Sequence, residues 1–368
     1  MVNLIWKNKS NILCKVDILK EKYQNYYQKI DSLSSLNSIE NIRLKDRKAW
    51  LNKLFWGDNL EVLCYLLNSF EGKINLIYID PPFFSGTNYH INVIENNDKS
   101  IELAYYDHWD KDLDSYLEML YERIILIKKL LTEKGLLFIH LDWHASHYVR
   151  VILDEIFGTN RFVNNIIWYY YNKYSAGKKN LPRAYDNILV YSKSANYTFN
   201  EIRIARKKPI KQLKREMVNG VLKNVRDENG HIMYRIVTDK KLDDVWRIPC
   251  MQPASKEWTG FPTQKHHDLL RRVIKLGSNE NDLIADFFCG SGTTLLEATK
   301  LNRRWIGCDI SEYSIYLTRK RIINYLNSVK KTAKSLYTFD IYSHLTQKQK
   351  KIINSGFFEK KIKIKRKK

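Results

Sequence analysis

The period of the apolar positions changes several times along the chain. Over residues 14–36, Val16, Leu19, Tyr23, Tyr26, Tyr27, Ile30 and Leu33 recur at helical spacing. This predicts a helix docked on the main domain or used in a dimer contact. From residue 53 the pattern becomes short apolar runs alternating with amphipathic stretches. It predicts strands over 53–56, 74–79 and 136–141, and helices over 60–70, 112–133 and 145–157. Gly135 and Gly158 stand just past two of those helices, where glycine commonly ends a helix. Strands alternating with helices predict an α/β fold with a parallel sheet covered on both faces.

Residues 168–260 break this rhythm. They are aromatic and basic, with scattered Gly and Pro and poor periodicity, and read as an insertion partly docked on the sheet. Within them, residues 187–192 predict one more strand of the main sheet. Trp168, Tyr169, Tyr170, Tyr171 and Tyr174 either stack on bases or fill the join between sheet and insertion. Regular order resumes at Thr263, with strands at 283–286 and 305–309 around a helix ending near Lys300. The pattern divides the chain into a helical extension (1–45), a first α/β half (46–167), the insertion (168–260), a second α/β half (261–330) and a basic extension (331–368).

Charge adds a partner to this picture. The chain holds 62 Lys+Arg against 40 Asp+Glu, a formal charge of +22. Residues 203–226 carry nine Lys/Arg and one acid, and residues 345–368 carry ten and one, so two patches hold 17 of the 22 excess charges. Charge concentrated in this way suggests a polyanion, most simply nucleic acid. In the internal patch, Arg203, Arg206, Lys207, Lys208, Lys211, Lys214 and Arg215 are candidate phosphate contacts, which position a duplex without specifying its sequence. The terminal patch reads equally well as a solvated tail. No run of 18 apolar residues exists, and the first residues lack a basic region followed by an apolar core, so neither a membrane span nor a secretory leader is expected. The five cysteines, at 14, 64, 250, 289 and 308, are odd in number and contain no Cys-x-x-Cys pair. That fits a reducing cytoplasm without a structural zinc site or disulfide framework. His140, Asp142, His144 and His147 could be read as a metal set; local turn and surface roles are preferred, and no metal is expected.

Candidate chemistry sits at two strand ends. The run Leu76-Ile77-Tyr78-Ile79 stops abruptly at Asp80-Pro81-Pro82-Phe83. The prolines donate no N–H, so strand pairing ends and carbonyl oxygens remain free to accept. An acid, a rigid acceptor backbone and a flat ring suit a planar base bearing an exocyclic amine: Asp80 and the Pro81 carbonyl accept its two N–H groups, and Phe83 stacks on its face. The same four residues also make an ordinary strand-ending turn. The second end is Asp286-Phe287-Phe288-Cys289-Gly290-Ser291-Gly292-Thr293, followed by a helix and then a strand ending at Asp309. Glycines admit a ligand to the backbone, a helix start offers unpaired N–H groups, and an acid after the next strand can bond ribose hydroxyls. The loop lacks the third glycine of the dinucleotide fingerprint, which favours a nucleoside ligand without a pyrophosphate. If strands 76–79 and 283–286 are neighbours, the two loops face each other.

With these residues in view, the chain resembles the amino-methyltransferases of DNA in the permuted order that places the catalytic motif first, a group that includes the modification subunits of type III restriction systems. The resemblance runs from about Trp50 to Tyr325. It rests on Asp80-Pro81-Pro82-Phe83, Gly57-Asp58, Phe261-Pro262-Thr263-Gln264-Lys265, Asp286 through Thr294, and Ile306-Gly307-Cys308-Asp309. Residues 187–193 and Asp244-Val245-Trp246 also look familial. The family usually has Pro where Phe287 and His266 stand here.

The resemblance implies a Rossmann-like, doubly wound methyltransferase fold with an inserted target-recognition region. It implies S-adenosyl-L-methionine as cofactor, held by Asp58, Thr263, Lys265, Asp286, Phe288, Gly290, Ser291, Gly292, Thr293 and Asp309. Asp80, Pro81, Pro82 and Phe83 become the catalytic set, acting on a flipped adenine in double-stranded DNA. The implied setting is cytoplasmic, at the nucleoid, as a monomer or homodimer, with or without a restriction subunit. An N4-cytosine enzyme, an RNA amino-methyltransferase and an inactive nucleic-acid-binding protein on the same fold are the alternatives.

Overall fold

Strands buried on both faces must be apolar at nearly every position, and Ile74–Ile79 is buried at five of its six residues. The computed structural model describes residues 4–6, 9, 12, 18–19, 21–23, 26–33, 50–95, 98–109, 112–173, 179–329, 339–358, 360 and 362–366. It divides into one unit formed by Met1–Phe199 with Val245–Lys368, and a second formed by Asn200–Asp244.

The larger unit is built on a ten-stranded sheet. Its strands are β1 (Gln28–Leu33), β2 (Asn52–Trp56), β3 (Ile74–Ile79), β6 (Leu131–Leu141), β7 (Phe162–Tyr169), β8 (Tyr185–Ser192), β13 (Val245–Arg247), β14 (Leu283–Asp286), β15 (Arg304–Asp309) and β16 (Phe339–Ser343). Their order is β1-β16-β2-β15-β14-β3-β6-β8-β7-β13. The six strands from β16 to β6 are parallel. β8 runs antiparallel to both neighbours, β7 and β13 pair in parallel, and β1 is an antiparallel edge. This is the mostly parallel α/β architecture expected. Helices α1 (Asn59–Phe70), α2 (Leu113–Leu130) and α3 (Ser146–Phe157) pack on one another, as do α4 (His267–Gly277), α5 (Thr293–Lys300) and α6 (Glu312–Ser328). Alternation sorts the side chains between the two groups. Ile77, Ile79, Leu137, Ile139, Ile306 and Cys308 join the core with α1–α3, whereas Leu76, Leu136 and Phe138 surround Gly277 of α4. A further helix, α7 (Gln347–Asn354), starts with a capping box made by Thr346 and Gln349. A three-stranded sheet joins β4 (Tyr89–Glu95), β5 (Asp98–Tyr105) and β17 (Lys363–Arg366), so the described end of the basic extension is a paired strand.

Several expectations change. The helix foreseen over 14–36 is met at residues 18–19 and 21–22, but from residue 26 onward the segment departs from it: Gln28–Leu33 is strand β1. The bare edge of β16 offers unpaired backbone groups that a strand satisfies and a helix cannot, while Tyr27 packs its ring on Phe55 and Tyr65. The helix foreseen to 133 ends at Leu130, and Gly135 lies inside β6, where the β3–β6 register shifts between Ile74 and Leu76. Residues 168–260 give the main sheet β8, β13 and the end of β7. Trp168 and Tyr170 are buried, with the Trp168 indole donating to the Ile248 carbonyl at 2.8 Å; Tyr169 and Tyr171 are exposed, and Tyr174 lies outside the described residues.

The second unit contains a two-stranded sheet of β9 (Arg203–Leu213) and β12 (Tyr234–Lys241) and a hairpin of β10 (Arg215–Val218) and β11 (Val221–Asn224). Among the described residues no helix is long and apolar enough to cross a membrane, and Cys64, Cys250, Cys289 and Cys308 are free thiols.

Gly307 shows how tightly α5 sits on the sheet. A Cβ there would lie 2.3 Å from Cδ1 of Leu295. Gly307→Ala is therefore expected to cost about 1–3 kcal/mol through overpacking. Urea denaturation with an unchanged midpoint would show that α5 stands off the strand.

Candidate active site

Strand β14 pairs in parallel with β3, Ile284 opposite Leu76 and Ala285 opposite Ile77. Both strands therefore end on the same edge of the sheet. From β3 the chain moves on to β6 on one side; from β14 it moves to β15 on the other. No crossover covers the gap, which leaves a crevice beyond the strand ends. A cavity of about 250 Å³ lies there. Its lining contains Asp80, Pro81, Pro82, Phe83, Asp58, Thr263, Lys265, Asp286, Phe288, Gly290, Ser291, Thr293 and Asp309. Among the residues expected at the catalytic and cofactor ends, Gly292 alone is absent from the lining; it is the left-handed N-cap of α5.

The proline turn is fixed by groups the sequence did not flag. Phe84 has φ 63°, a conformation a non-glycine residue holds only against a cost. Buried Asp107 secures it by accepting from the Phe84 and Ser85 amides (2.8 and 3.1 Å) and the Ser85 hydroxyl (2.5 Å). The Tyr116 hydroxyl donates to the Pro82 carbonyl at 2.8 Å.

Asp80 itself is held asymmetrically. Its Oδ2 pairs with Nζ of Lys265. Its Oδ1 is buried with no hydrogen-bond partner, 3.7 Å from Nδ1 of His140. Lys265 was foreseen at the cofactor's methionine end or as an exposed lysine at a helix start. It is buried rather than exposed, engaged with Asp80 and 5.2 Å from the Phe83 ring centre, and it lines the cavity with the other cofactor candidates. His140 keeps the mid-strand place expected for it in the buried run 136–141 and has no turn or surface role. It is fully buried on β6, 2.9 Å from the Tyr78 hydroxyl and 3.2 Å from Asp186. Alternation along β6 gave the only signal: His140 continues the face of Leu136 and Phe138. Asp142 and His144 do form the local turn expected, with Oδ2 and Nδ1 2.6 Å apart.

The glycine loop is shaped by backbone bonds. Gly290 has φ 49° and donates its N–H to Oδ2 of Asp309 at 2.8 Å, while Oδ1 accepts from the Ser311 amide at 3.0 Å. Gly292 has φ 73°, and a Cβ there would lie 2.4 Å from the Thr318 hydroxyl. Arg321 ties the start of α5, donating to the Ser291 carbonyl (2.5 Å) and the Thr293 hydroxyl (3.0 Å). Asp58 caps α1 through the Leu60 amide at 2.8 Å. The neighbouring Asn59 donates to the Phe287 carbonyl at 3.0 Å, tying this cap to the loop. Thr263 has φ 57° and meets the Tyr105 hydroxyl at 3.0 Å. Of the two departures from the family pattern, His266 caps α4 by accepting from the Asp268 amide at 3.2 Å, and Phe287 is a fully buried core residue.

The basic candidates all lie in the second unit, on β9, at Lys214 just past it and at the start of β10. Arg203 is engaged by Asp239 and Glu201 at 2.8 and 2.9 Å, and Arg206 donates to the Asp239 carbonyl. Lys207, Lys208, Lys211, Lys214 and Arg215 are exposed.

A family model described as DNA methylase matches residues 74–320. The chain is 28% identical over 327 residues to the type II methyltransferase M.EcaI of Enterobacter cloacae, covering 73% of this chain and 69% of that protein. It is 24% identical over 356 residues to the type III restriction-modification enzyme StyLTI Mod subunit of Salmonella typhimurium, covering 74% of this chain and about half (54%) of the subunit. The crystal structure of an M1.HpyAVI–SAM complex aligns with 73% of this chain and 98% of its own, at 20% identity and a TM-score of 0.48.

Burial pushes the Asp286 carboxyl up to about 7, against the Thr294 hydroxyl and Phe288 amide that favour its charged form. A carboxyl whose pKa rises on folding binds more protons folded than unfolded between about 3.8 and about 7, so its contribution to stability falls across that window as pH rises. Asp286→Asn is expected to gain stability relative to the parent between pH 5 and pH 8. Thermal unfolding of both proteins at the two pH values checks this; a constant difference would refute the buried charge.

Proposed function

The chain belongs to the N6/N4 DNA methylase family, and from that premise we propose that it transfers a methyl group from S-adenosyl-L-methionine to the N6 amine of a flipped adenine in double-stranded DNA. The observation that carries this reading is the buried, unpartnered Oδ1 of Asp80 in a cavity shared with the glycine loop. The cavity also suits the donor: Gly290 leaves open a space where a Cβ would come within 3.2 Å of Phe261. Gly290, Ser291, Phe288 and Asp309 would hold the nucleoside end, with Asp58 and Asp286 beside them, and Thr263 would stand toward the methionine end. When bound, S-adenosyl-L-methionine supplies an activated methyl group on a sulfonium sulfur.

The residues of the chain do the rest. The target base leaves its stack to reach the cavity, where Phe83 stacks on its face. Asp80 Oδ1 accepts one N–H of the amine and the Pro81 carbonyl accepts the other. Drawing on both N–H groups favours a pyramidal nitrogen, whose lone pair is otherwise delocalised into the ring. Lys265 holds the second oxygen of Asp80 in place. Holding the reacting groups in this geometry accounts for up to ~7–11 kcal/mol of barrier lowering. The exposed Lys207, Lys208, Lys211, Lys214 and Arg215 contact phosphates; Arg203 and Arg206 chiefly brace the β9–β12 pair. The likeness to a Mod subunit supports a restriction-modification setting, with a restriction subunit as a second partner.

Asp80→Ala is expected to abolish methyl transfer while S-adenosyl-L-methionine still binds; normal turnover in that variant would remove the assignment. Asp309→Ala is expected to weaken cofactor binding, read by calorimetry, and an unchanged affinity would count against it. Base-resolved mapping of DNA from cells expressing the chain should show N6-methyladenine. N4-methylcytosine there would favour the cytosine enzyme, and cofactor binding without any methylated nucleic acid would favour an inactive binding protein.

A further inference from the structure

We propose that His140, oriented by Asp186, takes up the proton that the target amine releases to Asp80. The inference rests on the amine-methylating function proposed above and adds a path for the proton. An amine that gains a methyl group must lose a proton. Oδ1 of Asp80 is the first acceptor. The N–H bond breaks with its electron pair left on nitrogen, and an O–H bond forms. That carboxylic acid faces Nδ1 of His140 across 3.7 Å. A small rotation brings the two into hydrogen-bond range, after which the O–H bond breaks, an Nδ1–H bond forms and the carboxylate is restored.

The ring is built for this role. Nε2 stands 3.2 Å from Oδ2 of Asp186, a carboxylate that can only accept, so Nε2 carries the hydrogen and Nδ1 presents its lone pair. The Tyr78 hydroxyl, 2.9 Å from Nδ1, donates to it in the resting state and turns away to free that lone pair before Nδ1 takes the proton from Asp80. The Tyr170 hydroxyl donates to the other oxygen of Asp186 at 3.2 Å. Trp168 and Phe83 pack their rings against the imidazole at 5.3 and 5.6 Å. The charged imidazolium would lie between Asp80 and Asp186. The other titratable groups around it are Tyr78 on β3, Tyr170 beyond β7, Lys265 before α4, Asp142 beyond β6 and Asp286 on β14. His140 acts through Asp80 and is thus a positioning residue, not part of the set that touches the base.

The test combines rates with spectroscopy on the full chain. In the wild type, the single-turnover rate should rise with pH through the neutral range. In His140→Gln that limb should vanish and the rate should fall roughly 10²-fold or more, with the KM for DNA and the binding of S-adenosyl-L-methionine unchanged. Imidazole ¹⁵N shifts should report the Nε2–H tautomer in the wild type and a mixed population in Asp186→Asn. This readout needs no turnover and still decides if His140→Gln misfolds. An Nδ1–H tautomer in the wild type overturns the proposal, as does a His140→Gln enzyme that keeps both its rate and the neutral limb. A wild type that methylates no DNA would instead fail the functional reading itself.

Discussion

The parallel pairing of Ile284 with Leu76 and of Ala285 with Ile77 is the constraint from which the candidate site follows. It sets two strand ends side by side although they lie about two hundred residues apart in the chain. Because the next strands depart in opposite directions, the space between the two loops stays open. A slip of one residue in this register would turn Tyr78 and Ile284 to the wrong faces. Such a slip is opposed by apolar side chains packed on both sides of β3, with α1–α3 beneath Ile77 and Ile79 and Gly277 against Leu76.

What this frame holds is costly to hold. Asp80, Lys265 and Asp286 line one cavity, Asp186 stands behind His140, and one buried oxygen of Asp80 has no hydrogen-bond partner. An unsatisfied buried acceptor costs about 1–3 kcal/mol. Phe84, just past the proline turn, and Thr263, in the cavity lining, add positive φ angles. Local rules are broken where a ligand is expected to satisfy them, and the surrounding bonds from Asp107, Tyr116 and Tyr105 keep these elements from relaxing.

The legible parts of the chain were those whose reasons are local. The β14–loop–α5–β15 unit could be read because glycines, a strand-ending acid and apolar runs carry their own conformational preferences. The proline turn was legible because proline stops pairing wherever it stands. The first strand of the sheet was not: the tyrosines of 14–36 fit a helical period, yet the open edge of β16 made Gln28–Leu33 a strand. Residues 168–260 looked irregular because β7, β8 and β13 are separated by long connections, and β13 has only three residues.

Sequence by itself determined the α/β class, the two loops and the chemical character of their residues, because each depends on neighbours a few positions away. Tertiary structure decided which side chains share the cleft. His140 on β6, Asp186 on β8 and Lys265 before α4 surround Asp80 only because the sheet order puts β6 beside both β3 and β8 and brings the start of α4 over the turn. Long-range pairing sets those distances, and no local periodicity along the chain encodes them.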